Sequence, residues 1–205
     1  MGVHQTTLLP LQHGYPRRLR DLTDPPEALH VLGAIPDGPS VALVGSREAD
    51  RQGTAFASEL AADLAGHGVT VVSGGARGID QAAHWGAIEG GGATVVVLGC
   101  GLAVDYPKGS AELREAAAAS GAVVTELEAD VPPRPGNFPR RNRIVAALSD
   151  AIVVVQAAAR SGALSTARLG RELGRPLLAV PGLPGAPLSA GTHGLLREGA
   201  ILAES

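Results

Sequence analysis

The chain has 205 residues, a formal net charge of −3 and a pI of about 6.1. With 45% hydrophobic and 18% charged residues, it is neither a disordered chain nor a polycation, and it is long enough to bury a core. Because Cys100 is the only cysteine and no apolar run is long enough to cross a bilayer, we expect a cytoplasmic protein without a disulfide, a signal peptide or a membrane partner.

Residues 1–39 are rich in proline and arginine, and we predict that they form a separate N-terminal helical lead. Within this lead we predict one short helix near residues 16–22 and another near residues 27–32. The turn-forming residues Pro36, Gly38 and Pro39 then interrupt the chain.

Residues 40–205 form the second predicted unit, in which apolar runs alternate with segments of helical periodicity. We predict strands over residues 41–44, 70–72, 94–98, 122–125, 151–155, 176–180 and 200–202. We predict helices over residues 54–65, 79–88, 111–119, 139–148, 164–173 and 192–198. The strands are continuous runs of valine, isoleucine and leucine, which is typical of strands buried on both faces of a parallel sheet. The pattern predicts an α/β fold, a Rossmann-like doubly wound and mainly parallel sheet with helices on both faces.

Glycine follows nearly every predicted strand, and three of these strand exits also carry an arginine. In a doubly wound sheet, ligands bind beyond the carboxyl ends of the strands, where helix N-termini offer free N–H groups. Glycine lets a phosphate approach the backbone, and arginine adds a planar fork of donors. Tight turns need glycine in any α/β fold, but several such loops on one edge of the sheet predict an anion site. The loops are Gly45-Ser46-Arg47, Ser73-Gly74-Gly75-Ala76-Arg77-Gly78, Gly99-Cys100-Gly101 and Arg160-Ser161-Gly162.

The segment Phe138-Pro139-Arg140-Arg141-Asn142-Arg143 concentrates positive charge in an acidic chain. Pro139 fits the first turn of a helix, so the arginines stand near a helix N-terminus, where cations are unfavourable unless an anion joins them. An aromatic ring beside arginines suits single-stranded nucleic acid. The alternative is that Phe138 packs into the core and that Arg141 or Arg143 pairs with Glu126 or Asp150. The sequence leaves both interpretations open.

The motifs of common nucleotide enzymes are missing. There is no Gly-x-x-x-x-Gly-Lys-Ser/Thr sequence and Lys108 is the only lysine, which excludes a P-loop NTPase. Val104 stands where a dinucleotide-binding fingerprint needs glycine, so we expect no cofactor. The helical pair Asp80 and His84, and Glu126 at a strand exit, are weak acid–base candidates, and we expect no catalytic residue. We also expect no metal site, because metal-ligand spacing is missing from His4, His13, His30, His67 and His193.

In their order along the chain, these motifs resemble the DNA processing protein A (Smf) family, bacterial single-stranded-DNA binders of natural transformation. The most specific matches are SGGARGID at 73–80 and FPRRNR at 138–143. Further matches are VALVGSR at 41–47, VVVLGCGLAVDYP at 95–107, SGALSTA at 161–167, VPG at 180–182, GTHGLLREGA at 191–200 and the pattern YP…L…DPP…L…G at 15–33. The resemblance therefore covers nearly the whole chain.

The resemblance implies an extended Rossmann domain that binds single-stranded DNA, passes it to the RecA recombinase and forms a homodimer, with no established catalytic activity. It implies DNA contacts at Arg47, Lys108, Arg140, Arg141, Asn142 and Arg143. We add Phe138 as a stacking residue and the neighbouring loop residues as phosphate cradles, namely Gly45, Ser46, Ser73, Gly74, Arg77, Gly78, Ser161 and Gly162.

Two positions depart from the family pattern, since Gln156 stands where many members have glutamate and His193 where asparagine is common. The C-terminal winged-helix-like domain of many members is not evident in the sequence. Two other functions stay open. One is a nucleotide-binding phosphoribohydrolase-like enzyme, although residues 161–166 lack the glutamate that should follow its motif. The other is a binding module for a small phosphorylated ligand.

Overall fold

The computed structural model describes residues 4–204, which form one mixed α/β arrangement. The strands are β1 (Gln5–Leu8), β2 (Leu29–Gly33), β3 (Ser40–Val44), β4 (Thr70–Ser73), β5 (Thr94–Val97), β6 (Ala122–Thr125), β7 (Ala151–Val154), β8 (Leu177–Ala179) and β9 (Ile201–Leu202). The α-helices are α1 (Arg17–Arg20), α2 (Arg51–Gly66), α3 (Ile79–Glu89), α4 (Ala111–Ser120), α5 (Asn137–Leu148), α6 (Ala163–Glu172) and α7 (Ala190–Arg197).

The nine strands of residues 4–204 join one sheet in the order β1-β2-β6-β5-β4-β3-β7-β8-β9. Strands β6, β5, β4, β3, β7, β8 and β9 run parallel to one another. At the other edge of the sheet, β2 pairs antiparallel with β6, and β1 pairs antiparallel with β2. The predicted Rossmann-like, mainly parallel sheet is therefore confirmed.

Helices cover both faces of the sheet, because neighbouring residues of a strand point to opposite sides. On one face, Val44 and Val154 belong to a buried cluster with Ile144 of α5. On the other face, Leu43 packs in a second cluster with Ala57 of α2 and with residues of α3. Each fully buried aliphatic side chain contributes about 1.5–3 kcal/mol relative to exposure, so the continuous apolar strands supply the core.

The second helix predicted in the N-terminal lead is wrong. Residues 29–33 form strand β2, which pairs antiparallel with β6 in a register that places His30 opposite Thr125. Leu29 and Val31 are buried on one side of this strand, and the pairing covers the edge of β6. Helix α1 confirms the other predicted helix as a single turn. The lead is thus only partly helical, and its division from the rest of the chain at residue 39 stays a prediction.

The centre of the sheet contains the point at which its connections change direction. Strand β3 lies between β4 and β7. After β3 the chain adds β4, β5 and β6 on one side of it, and it later adds β7, β8 and β9 on the other side. Such a switch point opens a crevice beyond the carboxyl ends of the two diverging strands, which is where doubly wound folds bind ligands.

Within residues 4–204, no helix combines the length and the apolar character needed to cross a bilayer.

Candidate functional site

An open cleft of about 830 Å³ lies at this switch point, and a second cleft of about 530 Å³ adjoins it beyond β4 and β5. The two clefts share Arg47, Gly74, Phe138 and Arg141 in their walls. The predicted site residues that line one cleft or both are Gly45, Ser46, Arg47, Gly74, Arg77, Lys108, Phe138, Arg141, Asn142, Ser161 and Gly162. The structure therefore brings together residues from five separate segments of the chain.

Arg47 stands on the loop between β3 and α2 and is exposed to both clefts. Its guanidinium carbon lies 5.1 Å from the centre of the Phe138 ring, within the range of a cation–π contact. The loop is supported by Gly78, where an added Cβ would collide with the carbonyl oxygen of Ser46. Gly78 has φ +78°, which also favours glycine. Gly78 therefore supports the site without lining either cleft.

Phe138 is half-buried at the boundary between the clefts, and its ring lies 5.4 Å from that of Tyr106 at an interplanar angle of 37°. Such tilted aromatic pairs are favourable by about 0.5–1.5 kcal/mol beyond their burial. Tyr106 lines both clefts, although the sequence analysis did not select it. The scarcity of aromatic residues, with two tyrosines, two phenylalanines and one tryptophan in the chain, is the signal that could have identified it.

Arg141 is a buried cation beneath the clefts, with 5% of its surface exposed. Its guanidinium donates a 2.9 Å hydrogen bond to the carbonyl oxygen of Val97 and packs against Gly74, where an added Cβ would collide with it. Burial lowers the pKa of Arg141, and the nearby Asp80 carboxylate opposes that shift. Burial in turn raises the pKa of Asp80, although Arg141 and the Ala76 N–H group favour its ionised form. A largely buried positive charge is thus held in the wall shared by the clefts.

Arg140 and Arg143 do not line either cleft, which corrects the expectation that the whole arginine cluster faces one ligand. Arg143 forms a two-point ion pair with Glu126 and also donates to the carbonyl oxygen of Asp24. Arg140 approaches the same carboxylate at 3.1 Å and stays 56% exposed. Residues three apart share a helix face, whereas Arg141 lies about 100° away from Arg140 around α5. The internal pairing that the sequence left open is confirmed for Arg143.

Ser73 is also absent from the cleft walls. It is fully buried, and its hydroxyl donates a 2.6 Å hydrogen bond to the carbonyl oxygen of Leu43. This bond joins the adjacent strands β4 and β3, so Ser73 stabilises the sheet below the site.

The rim of the second cleft carries the exposed cations Arg77 and Lys108. The loop that presents Lys108 is held by Asp105, which accepts hydrogen bonds from the Gly109 and Ser110 N–H groups at 2.9 and 3.1 Å. The Gly109 bond is the main cause that holds the pKa of Asp105 below its usual range. The buried Arg114 anchors the same loop by donating to the Val104 carbonyl oxygen at 2.6 Å.

The opposite wall of the larger cleft is the first turn of α6. The Ser161 hydroxyl accepts a 3.3 Å hydrogen bond from the Ala163 N–H group, and the Asn142 amide donates to the Gly162 carbonyl oxygen at 3.4 Å. The N-terminal turns of α5 and α6 thus both face the cleft, and each contributes a partial positive charge.

The acid–base candidates named from the sequence do not come together in this cleft. Asp80 lines it, but His84 is fully buried and bonded to Thr94 at 2.6 Å. Glu126 is engaged by arginines. Among residues 4–204, no three metal-ligating side chains of histidine, cysteine, aspartate or glutamate cluster together.

Comparisons with known proteins agree with this architecture. The family model for DNA recombination-mediator protein A matches residues 6–205. Protein Smf of Escherichia coli K12 is 45% identical over 191 residues, which cover 92% of this chain and 51% of that protein. The X-ray structure of DNA processing protein A from Streptococcus pneumoniae has a TM-score of 0.92 at 36% identity, and the match covers 98% of this chain and 71% of that one.

A structure concerned with the single-stranded DNA binding mode of DNA processing protein A from Helicobacter pylori has a TM-score of 0.86 at 33% identity. That match covers 97% of this chain and 90% of the other. This chain spans about half the length of the curated relatives it matches, with 51% of the Escherichia coli protein and 42% of a Mycobacterium tuberculosis relative covered. The family match over residues 6–205 confirms the resemblance seen in the sequence, and the chain belongs to the DNA recombination-mediator protein A family.

Proposed function

We propose that this protein binds single-stranded DNA across the two adjoining clefts, with little preference for base sequence and without catalysing a reaction. The observation that carries the proposal is the convergence of the Arg47 and Arg141 guanidinium groups with the Phe138 ring on the wall that the clefts share. Cations for the phosphates and an aromatic face for the bases are the two requirements of sequence-tolerant single-strand binding. The single-strand binding described for the Helicobacter pylori relative supports the same function.

Local electrostatics favour a polyanion here although the chain is acidic overall. Arg141 supplies a buried charge, Arg77 and Lys108 supply exposed charges, and the first turns of α5 and α6 add their dipoles. The exposed carboxylate of Glu48 also lines both clefts and opposes these charges, so it moderates the affinity. A duplex has its bases paired and stacked inside, so it cannot place a base against Phe138.

The predicted contact residues take different roles in this proposal. Arg47, Arg141 and Asn142 contact the strand inside the clefts, and Arg77 and Lys108 contact phosphates at the rim. The loop residues Gly45, Ser46, Gly74, Ser161 and Gly162 offer backbone groups to the same strand. Arg140 reaches phosphates from outside the clefts, whereas Arg143, Ser73 and Gly78 support the site from within the fold.

The test is a binding titration at salt concentrations between about 50 and 200 mM, with one oligonucleotide in single-stranded and duplex form. We expect tighter binding of the single strand. The variant Arg47→Ala should bind more weakly, and its slope of log K against log salt should be smaller by about 0.7, the value for one lost phosphate contact. Arg168→Ala is the matched control, because Arg168 is exposed on α6 and pairs with Glu172 outside the clefts.

Three results contradict the proposal. The first is equal affinity and equal slope for wild type and Arg47→Ala. The second is release of free base from nucleoside monophosphates, which indicates the phosphoribohydrolase-like enzyme instead. The third is competition by a mononucleotide as effective as that by the oligonucleotide, which indicates a small phosphorylated ligand.

We further propose that the protein forms a homodimer and transfers its bound strand to a RecA recombinase during recombination and natural transformation. The description of the family as recombination mediators supports the transfer. The end of the sheet at β9 supports self-association, since Ile201 and Leu202 are 56% and 49% exposed there. Light scattering of wild type and Ile201→Glu tests the dimer, and the rate of RecA filament formation on protein-coated single strands tests the transfer. A monomeric wild type contradicts the proposed dimer. An unchanged rate of filament formation contradicts the proposed transfer.

A further inference from the structure

The loop that carries Arg47 is held at both ends by one residue that lies outside the clefts. Gln156 follows strand β7 and is half-buried. Its backbone carbonyl oxygen accepts a 2.7 Å hydrogen bond from the Ser46 N–H group. Its side-chain oxygen accepts a 3.2 Å hydrogen bond from the Asp50 N–H group. Arg47 therefore stands between two backbone positions that the same glutamine fixes.

The far end of this loop is also the beginning of helix α2. Asp50 caps that helix by accepting a 2.8 Å hydrogen bond from the Gly53 N–H group. The hydrogen bond from the Gly53 N–H group is the main cause that holds the pKa of Asp50 below its usual range, and the Gln156 side chain adds to this effect. The Gln156 side chain thus accepts from the Asp50 backbone and lies where it favours the ionised form of the Asp50 carboxylate. A carboxamide can both accept and donate, whereas an ionised carboxylate can only accept.

Gly53 explains how the glutamine reaches this position. Glycine inside a helix is unfavourable by about 1 kcal/mol relative to alanine, and Gly53 lies in the first turn of α2. A Cβ added at Gly53 would collide with the side-chain amide of Gln156. The helix therefore leaves space for Gln156 at the point where the loop enters it.

We propose that Gln156 is a positioning residue for the single-stranded-DNA site, which fixes the direction of Arg47 by bonding both ends of its loop. This inference rests on the proposed DNA binding, because Arg47 is the group whose direction matters. Gln156 lines neither cleft, so its effect on binding passes entirely through the loop.

The test combines DNA affinity with amide hydrogen exchange in the variants Gln156→Ala and Gln156→Glu. In Gln156→Ala the Asp50 amide loses its acceptor and should exchange at least about threefold faster, whereas the Ser46 amide keeps the backbone carbonyl and its protection. Single-strand affinity should fall about three- to tenfold, the range for one lost hydrogen bond. Gln52→Ala is the matched control, since Gln52 is exposed on the first turn of α2 and should change neither quantity.

The glutamate variant adds a readout that a merely structural role would not change. Its carboxylate faces that of Asp50, so the two repel when both are ionised. Gln156→Glu should therefore bind DNA more weakly than wild type near about pH 8, and the difference should narrow near about pH 4, where the introduced carboxylate is partly protonated. This variant keeps the size of glutamine, so it tests the inference even where Gln156→Ala fails to fold.

Unchanged Asp50 exchange in Gln156→Ala overturns the inference, as does faster exchange with unchanged affinity, or a Gln156→Glu affinity that follows wild type at both pH values. The hydrogen-exchange result does not require DNA. Failure of the wild type to bind single strands therefore contradicts the proposed function, and the Asp50 exchange rate still decides separately whether Gln156 holds the loop.

Discussion

Glu126 and Arg143 form a nearly buried ion pair in which each carboxylate oxygen accepts a 2.8 Å hydrogen bond from one guanidinium nitrogen. The Arg143 and Glu126 side chains are 10% and 7% exposed. Arg143 also donates to the Asp24 carbonyl oxygen at 2.9 Å. The pair therefore connects helix α5, the end of strand β6 and the N-terminal segment, so its role lies in the fold.

Removal of Arg143 should destabilise the protein far more than it weakens DNA binding. Arg143→Ala leaves the Glu126 carboxylate buried with only the exposed Arg140 nearby, and breaking a buried pair costs about 3–5 kcal/mol. Urea denaturation followed by circular dichroism measures this loss. Arg168→Ala, which breaks an exposed pair, should change the free energy of unfolding by at most about 1 kcal/mol. Equal losses in the two variants would refute the assignment.

The arginine segment shows how far sequence reasoning reaches into the site. The helix predicted over residues 139–148 is present as α5, Asn137–Leu148. The expectation that its arginines face one ligand overlooked that Arg141 lies about 100° away from Arg140 around the helix axis. The partner of Arg143 does not follow from the helical pattern, because Glu126 belongs to a different strand exit and the two meet only in the folded sheet. Helical spacing identifies residues that share a face, but long-range packing decides which face meets the cleft.

A similar limit explains the error at β2. The parallel strands are predictable because a strand buried on both faces must be apolar throughout. Leu29 and Val31 of β2 fit a helix or a strand in such a short segment, and pairing with β6 decides between them. Tyr106 was missed for a comparable reason, since its place beside Phe138 depends on how the loop after β5 folds back over the sheet.

Gly74 should be essential for the position of Arg141. In Gly74→Ala the added Cβ collides with the guanidinium, which is held by the Val97 carbonyl oxygen and has to leave its position. We expect a loss of about 1–3 kcal/mol in stability from overpacking, and a salt slope of DNA binding that is smaller by about 0.7. Gly136→Ala is the control, because nothing lies within 4 Å of a Cβ built there. A wild-type slope in Gly74→Ala would argue against a DNA contact by Arg141.

Phe138 should contribute to affinity through base stacking. Phe138→Ala should weaken single-strand binding by about 1–3 kcal/mol, equally for thymine and cytosine oligonucleotides, because every base has a face that can stack. The salt slope should stay unchanged, since no charge is removed, and this distinguishes the variant from Arg47→Ala. Phe56→Ala is the matched aromatic control, because Phe56 packs in the cluster of α2 and α3 and lines neither cleft. An unchanged affinity of Phe138→Ala for both oligonucleotides would contradict stacking.

His84 should make stability depend on pH. Thr94 donates its hydroxyl proton to the Val71 carbonyl oxygen at 2.8 Å, so its oxygen accepts the 2.6 Å hydrogen bond from Nδ1 of His84. The Nε2 atom is buried without a hydrogen-bond partner among the described residues. Burial, with a smaller effect of Arg141, lowers the pKa of His84 to about 3, so the folded protein holds this histidine neutral.

The unfolded chain binds more protons than the folded one between the ordinary histidine pKa of about 6.5 and the folded value of about 3. The contribution of His84 is therefore complete above about pH 6.5 and declines by up to about 1.4 kcal/mol per pH unit as the pH falls. Asp80, whose pKa is raised by burial, titrates with the opposite sign, so the test compares variants rather than absolute slopes. Urea denaturation between about pH 6.5 and 5 should give a flatter pH dependence for His84→Gln than for wild type. His67→Gln, at an exposed position, should keep the wild-type dependence, and identical curves for all three proteins would show that His84 is not neutral in the fold.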